Sequence, residues 1–136
     1  MISPKDVITL KVPFPTIDDG LAQEAHMYIC YENSEVKKLI KAQSFKPLLE
    51  STISNYIDSN DFLYEHPFRR RTLIDLDKYF LFKDILIPLS LKAKNNNGVV
   101  SDNIFSQIGN QTSDLLFCKV IDISPQDVKK LNYKVK

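Results

Sequence analysis

Glycine is scarce in this chain, three residues in 136, and the three stand far apart. A glycine-rich loop that cradles phosphate is therefore excluded. Histidine is scarcer still. His26 and His66 are the only two, and no pair of Cys or His stands at ligand spacing, so neither a metal nor another cofactor is expected. The two cysteines, Cys30 and Cys118, each lie inside an apolar run. They read as buried free thiols, because one disulfide is a poor framework for a fold of this size. Long hydrophobic runs are missing too: stretches such as ILIPLSL at 85–91 fall far short of the ~18 residues that a membrane-spanning helix needs. The opening MISPKDVITL interrupts any apolar segment with a proline and two charges, which argues against an export signal and for a cytoplasmic protein. An excess of one charge is also absent. At a net +1 the whole-molecule field does not concentrate a polyanion, so any nucleic-acid contact has to be local.

What remains is an ordinary globular composition, 43% hydrophobic and 26% charged, in a length that suits one domain over 1–136. Ile8, Leu10, Val12 and Phe14 alternate with polar residues as in a half-buried strand, and Pro13 and Pro15 confine it to an edge or an exit. Asp19-Gly20 marks a turn. AHMYICY at 25–31 suits a central strand covered on both sides, and after ENSE the run VKKLIKAQ at 36–43 predicts a third strand. Pro47 opens a helix of about three turns through LLESTISNYID, with Leu49, Ile53, Tyr56 and Ile57 on one face. Strands are then expected over 70–76 and 85–91, a loop at KNNNG (94–98), and a short helix capped by Ser101. LLFCKVIDI at 115–123 reads as a strong strand, and Ser124-Pro125 starts a terminal helix through Leu131. Five or more short strands with two or three short helices, and no βαβ alternation or long repeat, predict a mostly antiparallel barrel or sandwich with helices attached.

Read in order, KDVITLKVPFP, MYICYEN, VKKLIKAQ and LIDLDKYFLFKDILIPLSL resemble successive pieces of the MazF/PemK family of toxins from bacterial toxin–antitoxin systems, over about half of the chain. The resemblance implies a mostly β fold with α elements, an SH3-like small antiparallel barrel. It also implies a homodimer, an antitoxin partner, and a metal-independent endoribonuclease acting on single-stranded RNA. Family members place an arginine followed by proline at the head of the second strand and a threonine or serine at the end of the third. Here those positions fall on His26, followed by Met27, and on Lys41, with Ser44 three residues later.

Two readings follow. In one, His26 exchanges a proton and Lys41 neutralises a phosphate oxygen, with Ser44 beside them. In the other the site is catalytically silent, and the groove binds a protein partner or nucleic acid. Arg69, Arg70 and Arg71 are the candidate phosphate ligands. On a strand Arg69 and Arg71 share one face, and the alternative is that they pair with acids such as Asp75 or Asp77. Tyr28, Tyr31 and Phe68 either stack bases or pack the core. The lysines 129, 130, 134 and 136 form either a second basic site or a solvated face.

Overall fold

The structure, a computed structural model, describes residues 1–112 and 118–136. Seven strands form one sheet: β1 (Val7–Leu10), β2 (His26–Asn33), β3 (Val36–Ser44), β4 (Tyr56–Asp58), β5 (Thr72–Asp75), β6 (Lys78–Lys83) and β7 (Lys119–Ile123). Among the described residues three α-helices accompany them, α1 (Pro47–Thr52), α2 (Asp102–Gln111) and α3 (Pro125–Leu131). β3 is the hub. One of its edges pairs with β2 over Lys37–Ala42. The other edge is shared: Val36–Leu39 pairs with β6, and Ala42–Ser44 pairs with β5, so the sheet forks into a β5–β4 limb and a β6–β7 limb. All ladders are antiparallel except β6–β7, which is parallel. Among the described residues β1, β4 and β7 each pair with one strand, and no ladder joins them to one another.

Strand alternation sorts the apolar residues onto two faces. Ile8, Leu10, Tyr28, Cys30, Leu39, Phe80 and Phe82 point one way, where Val128 of α3 covers them. Val7, Ile29, Ile40, Ala42 and Ile74 point the other way, under Ile104 and Ile108 of α2. The expectation that 25–31 is covered on both sides holds for its centre, where Tyr28, Ile29 and Cys30 are each buried, while Ala25 is exposed and His26, Met27 and Tyr31 are half-buried. The outer edge of β1 is covered by an irregular segment: the Ala93 amide donates to the Val7 carbonyl (2.8 Å) and the Val100 amide to that of Lys5 (3.1 Å). That segment turns through Asn96, Asn97 and Gly98, all left-handed, in the loop foreseen at KNNNG. Both expected caps form. Ser101 Oγ accepts from the Ile104 amide (3.1 Å) and Ser124 Oγ from that of Asp127 (3.3 Å).

Four expectations are corrected. The opening strand ends at Leu10 rather than Phe14, although Val12 is buried and Phe14 packs against the same core. The predicted three-turn helix stops at Thr52. The Asp77 carboxylate takes the Ser54 and Asn55 amides (both 2.8 Å), and Tyr56–Asp58 then joins β5 as a strand. The strand expected at 85–91 makes no ladder. Its place in the sheet belongs to Lys78–Lys83, and Asp84 at φ 55° breaks the chain away while Ile85 and Ile87 stay buried. Finally, β5 begins only at Thr72, so the arginine triplet lies before the strand rather than on it. Of the strand expected at 115–123, residues 115–117 lie outside the described residues; Cys118 is half-buried and 119–123 is β7.

Candidate functional site

His26 and Lys41 come from neighbouring strands. Leu10 pairs with His26, and Tyr28 pairs with Lys41 across β2 and β3. Because 26 and 28 share a face, His26 and Lys41 stand on the same side of the sheet. Lys41 is buried and His26 half-buried. Lys41 is only 8% exposed, unlike a lysine on the solvent face of a strand. Burial pushes the His26 imidazole below its ordinary value, with the Lys41 charge adding to the effect and the Glu24 main chain and carboxylate opposing it. Burial likewise lowers the Lys41 ammonium, helped by Lys78 and opposed by Asp75 and Glu24.

Sequence reasoning missed the acid in this group. Asp75 is buried, its Oδ1 accepts from the Asp77 amide (2.9 Å), and its Oδ2 lies 3.1 Å from the Lys78 ammonium, so it holds negative charge close to Lys41. No local pattern announces this, because Asp75 reaches Lys41 only through the β3–β5 pairing.

His26, Ser44, Arg69 and Arg70 line one depression of about 260 Å³ at the end of β2 and β3, floored by Met27, Ala42 and Phe68. Lys41 is not among its lining residues. Ser44 is exposed and shares the face of Ala42, opposite to that of His26 and Lys41, so it meets His26 only around the strand end. Arg69 and Arg70 are exposed in the bend before β5, with no ion pair among the described residues. Arg71 is occupied. Its guanidinium forks onto the Asp58 carboxylate, with Nε to Oδ2 at 3.0 Å and Nη2 to Oδ2 at 2.5 Å, and it stacks on Phe45 at 3.8 Å. The partner is thus Asp58, not Asp75 or Asp77; the latter caps the two amides after α1. This pairing holds the Asp58 carboxyl below the usual carboxylate range and raises the Arg71 guanidinium.

The aromatic candidates are mostly used in packing. Tyr28 is buried edge-to-face against Phe80 (5.8 Å). Phe68 is buried and stacks on His66 (5.1 Å), whose Nδ1 accepts from the Phe68 amide (3.1 Å). Tyr31 stacks on Phe105 of α2 (5.2 Å). Cys30 is a buried free thiol, pushed up to about 12 by burial and by Asp6, and Cys118 is free and half-buried. Among the described residues no helix is long and apolar enough to cross a membrane.

Comparison of the chain with protein-family models, with curated proteins and with solved structures finds no match to any of them.

Proposed function

We propose that the depression around His26 binds single-stranded RNA and that the protein cleaves it, as a MazF/PemK-like endoribonuclease that needs no metal. The observation that carries this reading is the meeting at a single cavity of one imidazole with two arginines that have no ion pair among the described residues. An imidazole kept neutral at pH 7 has a nitrogen free to accept a proton. It would take the proton of the ribose 2′-hydroxyl as that oxygen attacks the adjacent phosphorus. The 5′-oxygen then leaves and is protonated from water, giving a cyclic phosphate on one product and a hydroxyl on the other. Arg69 and Arg70 hold the phosphate oxygens where negative charge builds. Lys41 acts through its charge on His26 rather than by touching phosphate. A finer description of the fold as an SH3-like barrel, a two-fold dimer, an antitoxin partner and a cytoplasmic location all belong to this same proposal.

A second reading is favoured by the burial of Lys41, which does not line the cavity, and by Ser44, which reaches it only from the opposite face of the strand. The protein is then a non-catalytic relative that binds nucleic acid or a protein through the same depression. Incubation of the purified protein with a single-stranded RNA in chelator separates the two. Cleavage that falls by about a hundredfold or more in a folded His26→Ala variant supports the enzyme. Intact RNA that is nevertheless retained by the wild-type protein and released by Arg69→Ala supports the binder and sinks the enzyme.

A further inference from the structure

A further group of positive charges lies beside that depression. A second cavity, about 550 Å³, opens between the end of β1, the segment that covers its edge, and the residues after α3. Lys11, Arg69, Lys94 and Lys134 line it, without a single carboxylate. None of the four has an ion pair among the described residues; a fifth cation there, Lys92, is already held by Asp6 at 3.0 Å. Its other lining mixes polar residues such as Ser90 and Asn95 with apolar ones such as Leu10, Met27 and Leu91, and Tyr133 is 80% exposed.

The walls are built, not incidental. The chain after α3 is stapled to the end of β1 by a reciprocal pair of hydrogen bonds: the Lys11 amide donates to Asn132 Oδ1 (2.9 Å) and Asn132 Nδ2 donates to the Lys11 carbonyl (2.7 Å). Val135 is buried in the core just beyond, and the Lys136 amide bonds the Leu86 carbonyl (3.0 Å). The opposite wall is fixed by the Ala93 amide on Val7 and by Gly98, whose left-handed turn brings Ala93 O to 2.4 Å from where a Cβ would sit.

We propose that this cavity is a binding site for a nucleoside phosphate. Its volume lies in the range of small-ligand sites. Four separate cations suit a group with more than one negative charge better than a single carboxylate, and one of them is an arginine fork. The apolar part of the lining, Leu10, Met27 and Leu91, and the exposed tyrosine ring suit a flat base. The site adjoins the depression at His26 and shares Arg69 with it, but His26 and Arg70 do not line it. Free nucleotide and the terminal nucleotide of a single strand share the chemistry that it recognises.

The test is an NMR titration of the full chain with adenosine 5′-monophosphate, alongside adenosine, inorganic phosphate and a single-stranded oligonucleotide. Binding should shift Leu91, Ala93 and Tyr133 signals. Adenosine and phosphate alone should each bind at least about tenfold more weakly than the monophosphate. Lys94→Glu together with Lys134→Glu, both on exposed side chains, should weaken the monophosphate by about tenfold or more while leaving the spectrum folded. An oligonucleotide that binds tighter than the monophosphate identifies a strand as the source, and equal affinity identifies the free nucleotide. Absence of any shift up to about 10 mM monophosphate, affinity indifferent to the two charge reversals, or shifts confined to His26 and Arg70 would overturn the proposal. RNA cleavage lost in His26→Ala survives any of these outcomes.

Discussion

At the scale of single residues, position in the ladder decides what each ionisable group does. His26 and Lys41 drew notice in the sequence because they fell where a family pattern places functional side chains, and the register does put them on one face. Their burial was not legible. A histidine at the head of a strand and a lysine in a polar-looking run carry no mark of the neighbours that remove water from them. Because the Lys41 charge contributes to lowering the His26 imidazole, Lys41→Met should raise the His26 titration toward its ordinary value, measured by NMR of the ring protons. An unchanged or lower His26 value would contradict the electrostatic contact. The two histidines also set a pH window for stability. His26 and His66 are both lowered in the folded state, so below their unfolded value of about 6.5 the unfolded chain binds more protons than the folded one. Their contribution is complete above that pH and is lost as pH falls toward the folded values. Urea midpoints should therefore decline between neutral and mildly acidic pH, with a further loss in strong acid as Asp58 is protonated and releases Arg71.

At the scale of elements, caps and left-handed turns were readable and ends were not. Ser101 and Ser124 announce their helices because a hydroxyl before a helical run satisfies an amide that nothing else reaches. Ser101 does two jobs, capping Ile104 and bonding Glu65 Oε1 at 2.8 Å. Ser101→Ala should cost about 1–2 kcal/mol in chemical denaturation, toward the upper end of the cost of losing a cap. Gly98→Ala should be at least as damaging, since it adds left-handed strain to a Cβ that overlaps a backbone carbonyl. Urea denaturation reads both. The helix predicted through Ile57 failed for a non-local reason. Ile53 and Ile57 satisfy a helical spacing, yet Asp77, more than twenty residues away, captures the amides that would continue it. The α1 that remains buries none of its residues, and Leu48 is 72% exposed. The exchange of 85–91 for 78–83 has the same origin. ILIPLSL is the more apolar run, but Pro88 and the left-handed Asp84 spoil it for a ladder, whereas KYFLFK alternates Phe80 and Phe82 into the core.

At the scale of the whole molecule, the broad class was visible and the topology was not. Short alternating runs without βαβ spacing imply an antiparallel sheet, and that is what forms, but nothing in the sequence says that β3 carries three partners or that β7 lies parallel to β6. The two-faced core follows from that arrangement. Truncation on either face should be expensive: Phe80→Ala, under α3, about 3–5 kcal/mol, and Ile104→Ala, on α2, about 2–5 kcal/mol, both read from equilibrium unfolding. A loss below about 1 kcal/mol at Ile104 would mean that α2 does not seal its face. The fork in the sheet also bears on motion. β3 is gripped along one edge by β2 and along the other by two separate limbs, so it cannot slip or hinge without breaking three sets of backbone bonds together. The rim formed by its last residues is thereby held in one shape before any guest arrives. Such a mouth spends little conformational entropy on closing around what enters, and its amides at Ala42 and Gln43 should rank among the slowest in the protein to exchange their hydrogens for deuterium.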